Sequence, residues 1–358
     1  MNLDDLPSIA KLDSQHMLER IADLPQQCRD AWRQAHEVEI PLDYGDVDHL
    51  VIAGMGGSAI GGTLLQDLVS DRCEVSITVN RGYALPAFVQ GPRTLVVACS
   101  YSGNTEETLS CYDQALERGA RTLAVTTGGQ LASAARDAKA PLVQFSYQSQ
   151  PRAALGYSFV LLLGTLHQLQ LIPDHGDALA EAVAVMEEWG EVTHAQVPTA
   201  HNPAKQLARE LHGKLPVVYG AGFLAGTANR WKTQFNENAK SWAFFEILPE
   251  LDHNAVVGLG IPDHVREHCV VVTLRSELER GRLRRRWSAT CQVLDREGVT
   301  WREVWGRGRS RLAQMLSLIH FGDYVSFYSA MLSEVDPTPV DAIAFLKERL
   351  AELANPAE

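Results

Sequence analysis

The chain has 358 residues, of which 46% are hydrophobic and 21% are charged, an ordinary composition for a folded globular protein. This length exceeds what a single hydrophobic core usually spans, so two domains are expected. The formal net charge of −12 argues against a nucleic-acid partner or an anionic membrane surface, although a local pocket can still bind an anionic small molecule.

The amino-terminal sequence MNLDDLPSIAKLDSQHM is acidic and lacks the apolar run of a signal peptide. The longest apolar stretch, around 159–163, is far shorter than the ~20 residues that cross a bilayer. The six cysteines form no C-x-x-C pair, which favours reduced thiols and argues against a structural metal. A cytoplasmic protein without a structural metal is therefore expected.

The segment 1–38 is predicted to be helical, because Met17, Ile21, Leu24 and Trp32 recur at helix-like spacing. Short apolar strands then alternate with helices. The predicted strands are 49–53, 75–79, 94–99, 122–126 and 142–145. One predicted helix follows the first strand and ends at Val69, and another spans 106–118. Such alternation is typical of a parallel sheet covered by helices on both faces.

The same pattern restarts after a helix around 179–189 and a polar connection at 195–203. The predicted strands are 216–219, 243–245, 270–273 and 300–304, and the predicted helices are 228–238, 283–297, 315–332 and 340–352. Each half opens with a strand that runs into a glycine-rich turn, AGMGGSAIGG in the first and YGAGFLAGTA in the second. We predict an α/β protein with domains at 39–175 and 196–335 and a C-terminal helical segment at 336–358.

The first glycine-rich turn, 54–59, follows a strand and opens a helix. Glycines at such a turn let the backbone approach a ligand, and the free N–H groups of a helix N-terminus favour an anion. The spacing also fits a dinucleotide fingerprint, but that motif requires an acidic residue after the next strand, where this chain has Asn80-Arg81. A tight turn without a ligand is the remaining alternative.

A hydroxyl-rich turn, with Ser100, Ser102 and Thr105, follows the predicted strand 94–99. Ligands of open α/β sheets bind at the carboxyl ends of the strands, so three hydroxyls there predict a phosphate site. The alternative is a helix cap, because Ser or Thr followed by Glu is a capping box. A cap needs one hydroxyl, and this turn has three.

Two sequences, CSYSGNTEET (99–108) and GMGGSAIGG (54–62), resemble the sugar isomerase (SIS) domain, two copies of which form phosphosugar isomerases. PRAALG (151–156), FNENAKSWAFFEILPELDHNAVVG (235–258) and DPTPVDAIAFLKERL (336–350) resemble the bifunctional phosphoglucose/phosphomannose isomerase family, over nearly the whole chain. The resemblance implies two SIS-type domains, each a mostly parallel sheet flanked by helices. It also implies an aldose–ketose isomerase that uses no metal and no cofactor. Such an enzyme interconverts glucose 6-phosphate, and mannose 6-phosphate, with fructose 6-phosphate through a cis-enediol.

The resemblance assigns roles to individual residues. Glu237 matches the family's catalytic base, and Arg152 matches the arginine that stabilises the enediolate. The phosphate-binding residues are then Gly57, Ser58, Ser100, Ser102 and Thr105. From the residues alone, Glu237 is more typical of a surface glutamate paired with Lys240, and Arg152 also fits one half of a buried salt bridge.

His253 matches the histidine that opens the sugar ring, and Lys347 matches a lysine that assists it. In related enzymes this histidine comes from the neighbouring subunit, which implies a homodimer. Thr338 is expected to shape the pocket so that both C2 epimers fit. By sequence alone, His253 is an ordinary loop histidine and Lys347 a solvated helical lysine.

Two further patterns are weaker. His264 and His268 match an H-x-x-E-H zinc motif but have no obvious third ligand. Five arginines lie between Arg280 and Arg286, and on so acidic a chain they favour a solvated or interface helix over a nucleic-acid site. Two alternatives to a hexose-phosphate isomerase stay open: a phosphosugar-binding regulator without catalysis, and an isomerase of another phosphosugar.

Overall fold

The fold is that of a computed structural model, and the structure describes residues 1–354. The α-helices are α1 (Leu6–Leu12), α2 (Met17–Ala22), α3 (Leu24–Glu37), α4 (Gly56–Val69), α5 (Glu106–Glu117), α6 (Gly129–Asp137), α7 (Leu155–Gln168), α8 (Gly176–Thr193), α9 (Pro203–Leu211), α10 (Ala225–Glu237), α11 (Asp263–His268), α12 (Arg282–Arg296), α13 (Arg311–Leu332) and α14 (Asp341–Ala354). The strands are β1 (His49–Gly54), β2 (Ser76–Asn80), β3 (Thr94–Ser100), β4 (Arg121–Thr126), β5 (Leu142–Gln144), β6 (Leu215–Ala221), β7 (Phe244–Leu248), β8 (Cys269–Arg275) and β9 (Thr300–Trp305).

Two parallel sheets confirm the predicted α/β class. The first has the strand order β2-β1-β3-β4-β5, and the second has the order β7-β6-β8-β9. In the first sheet the chain passes from β2 across β1 to β3, and in the second sheet it passes from β7 across β6 to β8. Parallel pairing needs crossover connections, and helices provide most of them, although the connection from β2 to β3 (81–93) contains no helix.

Apolar side chains of the strands pack against other elements on both faces of each sheet. In β1, Leu50 and Ile52 join the large central core, whereas Val51 and Ala53 face α5 on the other side. In β8, Val271 packs with Trp287 of α12, and its neighbours in sequence join the central core. Because successive residues of a strand point to opposite faces, a strand with helices on both sides is apolar at nearly every position.

The central core is shared by both halves of the chain. It includes residues of the N-terminal helices, of α7 and α8, and of α13. Helix α13 is buried along nearly its whole length, because it packs against α8, α9 and α10 at once. A helix surrounded by protein on all sides is apolar all round, which explains why its sequence has no polar face.

The predicted elements match the structure apart from their ends and the omission of the short helices α6, α9 and α11. The predicted polar connection 195–203 ends at Pro203, which is the first residue of α9. The sequence does contain a start signal for α9, because asparagine is a favoured N-cap residue and proline a favoured first residue of a helix. In the structure the Asn202 side chain accepts hydrogen bonds from the N–H groups of Ala204 and Lys205, and Pro203 is the first residue of the helix. The predicted segment 336–358 is helical from Asp341 to Ala354, and its residues 355–358 lie outside the described part.

Helices α4 and α10 link the two halves and set the position of the site. The middle of α4 (Thr63, Leu64 and Asp67) contacts Gly226 at the start of α10. The start of α4 contacts Arg152, whose side chain reaches the end of α10. The two helices therefore run antiparallel, and the first turn of α4 lies at the same end as the last turn of α10.

Among the helices of residues 1–354, none combines the length and the apolar character that a membrane crossing requires.

Candidate active site

The hydroxyl-rich turn and the first glycine-rich turn lie side by side. Strands β1 and β3 are neighbours, and Gly54 at the end of β1 pairs with Cys99 near the end of β3. Ser58, in the first turn of α4, and Ser100, the last residue of β3, are therefore at the same edge of the sheet. This edge is also where the strand order reverses, which is the ligand-binding position of open α/β sheets.

The hydroxyl-rich turn has a fixed shape. The Ser100 and Thr105 hydroxyl oxygens are 2.9 Å apart, and the Gly103 N–H donates to Ser100 Oγ at 3.0 Å. Gly103 has a φ of +70°, and a Cβ at this position would lie 1.8 Å from the carbonyl oxygen of Gly128. Only glycine fits there.

The capping alternative does not describe Thr105. Thr105 is the N-cap residue of α5, but its side chain makes no capping hydrogen bond and instead contacts Ser100. The hydroxyl-rich turn therefore presents hydroxyls and the first N–H groups of α5 at the sheet edge. A helix N-terminus with such hydroxyls is suited to a phosphate.

Arg152 connects this edge to the second half of the chain. Gly57 packs directly on the Arg152 turn, since a Cβ on Gly57 would lie 2.9 Å from the Pro151 carbonyl oxygen. The Arg152 side chain is only 3% exposed. Its pKa is lowered by burial, because the charged guanidinium loses solvation.

Four of the five N–H groups of Arg152 have partners. Nε donates to Asn238 Oδ1 at 2.8 Å, and Nη2 donates to the carbonyl oxygens of Pro337 and Thr338, both at 2.8 Å. Nη1 donates to Glu237 Oε2 at 3.4 Å. The second N–H of Nη1 has no partner within residues 1–354, so Nη1 is the nitrogen left to contact a ligand.

Glu237 is the last residue of α10, and its side chain is 30% exposed. It lies in an open groove of about 690 Å³ between α10 and the start of α14, which is also lined by Lys240, Asp336 and Ile343. The Lys240 ammonium donates to the Glu237 backbone carbonyl at 2.5 Å and to the Pro337 carbonyl at 2.9 Å. Lys240 therefore holds the backbone around Glu237 and leaves the carboxylate to Arg152.

Lys240 is itself affected by this position. Burial and the nearby charge of Arg152 lower the pKa of the Lys240 ammonium to about 8. The Thr338 hydroxyl is buried and has no hydrogen-bond partner in the described chain, while the Thr338 carbonyl accepts from Arg152. The segment around Pro337 and Thr338 therefore forms one wall of the Arg152 site.

A buried polar network holds Arg152 from behind. Asn238 accepts from Arg152 Nε and donates to Ser326 Oγ at 3.0 Å. Arg230 donates to the Arg152 backbone carbonyl at 2.7 Å and to Asp323 Oδ2 at 2.9 Å. Burial raises the pKa of the Asp323 carboxyl, and the Arg230 charge opposes that rise.

Sequence reasoning missed this network. One signal was available, because Asp323 is the only acidic residue in the apolar segment 311–332, and a buried carboxylate needs a partner. Its partner Arg230 lies 93 residues away in sequence on another helix, so nothing local identified it.

The structure brings Arg152 and Glu237 together, next to Gly57, and leaves His253 and Lys347 apart from them. His253 ends a 3₁₀ turn, Glu250–His253, that follows the edge strand β7, and it is exposed. Lys347 is exposed on α14, one helical turn beyond Ile343, which lines the Glu237 groove. Within residues 1–354, neither has a hydrogen bond or ion pair to Arg152 or Glu237.

The remaining motifs are placed as follows. His264 and His268 are exposed on α11, where the His268 ring contacts the His264 carbonyl, and no group of three metal-ligating side chains occurs in residues 1–354. Strand β2 ends at Asn80, whose side chain donates to the Gly82 carbonyl, so the position of the dinucleotide-binding acid is occupied by an amide.

Comparison with known proteins gives two kinds of match. Residues 200–350 match the family described as "Bacterial phospho-glucose isomerase C-terminal SIS domain". The chain is 42% identical over 340 residues to the bifunctional phosphoglucose/phosphomannose isomerase of Caldicellulosiruptor bescii, covering 95% of this chain and 100% of that protein. It is 35% identical over 318 residues to the protein of the same name from Aquifex aeolicus, covering 88% of this chain and 94% of that protein.

The fold resembles that of a solved structure described as a hypothetical protein from Thermus thermophilus. The TM-score is 0.77 with 17% sequence identity, and the match covers 98% of this chain and 94% of that one. At this identity the match supports the fold alone.

Proposed function

The chain belongs to the bifunctional phosphoglucose/phosphomannose isomerase family, and on that premise we propose how its site carries out the reaction. It is an aldose–ketose isomerase, with glucose 6-phosphate and mannose 6-phosphate as the aldoses and fructose 6-phosphate as the ketose. The observation that supports the mechanism best is the Arg152–Glu237 pair, which joins the two halves of the chain beside the hydroxyl-rich turn.

The substrate phosphate binds at the carboxyl ends of β1 and β3. Ser58, Ser100, Ser102 and Thr105 supply hydroxyls, and Gly57 with the first turns of α4 and α5 supplies N–H groups. The hydroxyl-rich turn is neutral and rigid, so it fixes one end of the sugar without selecting among hexose phosphates. It leaves C1 and C2 to be presented to the second half of the chain.

Proton transfer is the task of Glu237. Its carboxylate removes the C2 proton of the open-chain aldose, and the electron pair of that bond forms the C1=C2 double bond of a cis-enediolate. The C2 hydroxyl proton passes to the C1 oxygen, and the same carboxyl group returns the carbon-bound proton to C1 as the C2 oxygen becomes the ketone carbonyl. Arg152 Nη1, whose second N–H has no partner in the described chain, stabilises the negative charge that develops on the oxygens.

The wall of the Arg152 site formed by Pro337 and Thr338 contributes to substrate choice. The Thr338 hydroxyl is buried and lacks a partner in the described chain, and we propose that it pairs with a substrate hydroxyl near C2 when the substrate binds. A buried hydroxyl without a hydrogen bond is unfavourable, so a ligand that pairs it gains affinity. We assign Thr338 the role of accommodating both C2 epimers.

We assign ring opening to His253 and Lys347, and we propose that formation of a homodimer places them at the active site. Both residues lie on exposed apolar surfaces. Trp242 and Ile261, on the segments that flank His253, are 78% and 87% exposed. Along α14, exposed apolar residues recur with heptad spacing around Lys347, namely Ile343, Leu346, Leu350 and Leu353. Such surfaces are typical of subunit interfaces.

The dimer is tested by mixing two inactive variants. If His253 completes the partner's site, His253→Ala and Glu237→Gln subunits should each be inactive as homodimers. Random pairing then makes one native site in each mixed dimer, so activity should recover to about a quarter of the wild-type value. A mixture that stays inactive while forming mixed dimers would contradict the crossing of His253.

The reaction itself is tested by proton NMR in deuterium oxide. A panel of aldose phosphates, including glucose, mannose, glucosamine and ribose phosphates, is incubated with the enzyme and a metal chelator. We expect turnover and deuterium incorporation at C1 or C2 with the first two sugars, in the cytoplasmic pH range. Binding of a sugar phosphate without exchange would indicate a regulator, and exchange only with another sugar would indicate a different isomerase.

A further inference from the structure

A second groove, on a different part of the surface, is lined by four arginines. Arg72 follows α4, Arg280 precedes α12, and Arg309 and Arg311 lie at the start of α13. The groove has a volume of about 530 Å³. We call it the arginine groove. Its lining includes no carboxylate, whereas the Glu237 groove is lined by three carboxylates and one ammonium.

Two of the four arginines have protein partners and two do not. Arg311 Nη1 is 2.6 Å from Asp71 Oδ1, and Arg72 Nε is 4.0 Å from the same oxygen. The side chains of Arg280 and Arg309 have no acceptor within residues 1–354. Asp71 and Glu181 are the carboxylates that contact this segment, so the four guanidinium groups still leave a local excess of positive charge in a chain with a net charge of −12.

The N-terminus of α13, beside the groove, already binds a carboxylate of the protein. The N–H groups of Arg309 and Ser310 donate to the Glu181 carboxylate at 2.6 and 3.1 Å, and Ser310 Oγ accepts from the Ala313 N–H. The groove therefore depends on arginine side chains rather than on the start of α13. His175, which is buried at the base of the groove, also faces the Arg72 charge.

We propose that the arginine groove binds a small molecule carrying two or more phosphate groups. Guanidinium groups bind phosphate oxygens in pairs of parallel hydrogen bonds, so four arginines match several anionic groups better than one. A nucleic acid is disfavoured by the net negative charge of the chain. The ligand would bridge the first half, through Arg72, and the second half, through Arg280 and Arg309.

The proposal does not rest on the roles of Glu237 and Arg152, and it is tested without measuring catalysis. Inorganic tripolyphosphate and fructose 1,6-bisphosphate are titrated calorimetrically into the full chain at about 0.15 M salt, with saturating fructose 6-phosphate present to fill the active site. Either ligand should bind at one site per chain and should raise the unfolding temperature, since it binds only the folded state.

The matched variants carry equal changes in net charge. Arg280→Ala with Arg309→Ala should weaken binding about a hundredfold, because each lost guanidinium removes a charged hydrogen bond. Arg285→Ala with Arg296→Ala, on the exposed side of α12, should leave the affinity unchanged. The inference would be overturned if neither ligand binds, if both double variants weaken binding equally, or if fructose 6-phosphate abolishes binding.

Discussion

The two halves of the chain use the same structural element in opposite ways. In the first half, β1 runs through a glycine turn into α4, and the start of α4 is open, since a Cβ on Gly56 would meet nothing within 4 Å. In the second half, β6 runs through a glycine turn into α10, but the start of α10 is filled. There Asp67 of α4 accepts from the Gly226 N–H at 2.6 Å.

The comparison shows why one repeat does not give two phosphate sites. A helix N-terminus attracts an anion, and in the second half the chain provides its own carboxylate. The opposite end of α10 then carries Glu237 towards the open turn of α4. The first half thus keeps the phosphate position, and the second half supplies the acid–base group.

The largest expected effect concerns Arg152, which joins the two halves. Arg152→Lys removes the fork of bonds to Asn238 and the Pro337 carbonyl, and lysine cannot replace it. We expect kcat to fall by about 10²–10³, with folding retained by circular dichroism. Arg266→Lys, on the exposed helix α11, serves as the control. A kcat close to wild type for Arg152→Lys would separate Arg152 from the chemistry.

The hydroxyl-rich turn should affect binding more than turnover. Ser102→Ala with Thr105→Val removes two hydroxyls, and we expect KM to rise about a hundredfold with kcat little changed, since phosphate contacts persist through the reaction. Ser110→Ala, which alters a hydroxyl of α5 bonded to the Tyr83 carbonyl, should leave KM unchanged. If the double variant lowered kcat instead, the turn would have a role beyond holding the phosphate.

The filled N-terminus of α10 predicts a pH dependence of stability. Burial raises the pKa of Asp67 to about 6, whereas an unfolded aspartate titrates near 4. The folded state therefore binds the Asp67 proton more tightly than the unfolded state does. Ionisation of Asp67 consequently lowers the free energy of unfolding as the pH rises from about 4 to 6. Asp67→Asn keeps the acceptor and removes the ionisation, so its unfolding free energy relative to wild type should increase by about 2 kcal/mol over that range.

The measurement is chemical denaturation of both proteins at several pH values. Asp48→Asn provides a control of opposite sign, because the hydrogen bond from Arg93 lowers the pKa of Asp48. Its stability relative to wild type should fall, not rise, as the pH increases. A difference for Asp67→Asn that does not change with pH would show that this carboxyl titrates normally.

Sequence patterns predicted the sheets because strand alternation and helix spacing are local properties. They also placed the hydroxyl-rich turn correctly at a strand end, where the rule for open α/β sheets expects a ligand. Its neighbour Ser58 was assigned through the family resemblance. The family resemblance assigned Arg152 and Glu237 to one active site, and in the structure the two side chains are 3.4 Å apart.

The remaining features depend on packing between distant segments. Nothing near Gly226 in sequence indicates that Asp67 fills that helix end, because the two residues are 159 positions apart. The buried support of Arg152 by Arg230 and Asp323 is equally non-local. The roles of His253 and Lys347 stay predictions, since both lie on surfaces that one chain leaves exposed.

The most direct test of the account follows Glu237→Gln in deuterium oxide. Calorimetry should show that the variant binds fructose 6-phosphate with nearly the wild-type affinity, because the phosphate position in the first half is unchanged. Proton NMR of the same sample should show deuterium entering C1 at least about 10³-fold more slowly than with the wild type. Near-native exchange by this variant would contradict the assignment of proton transfer to the end of α10.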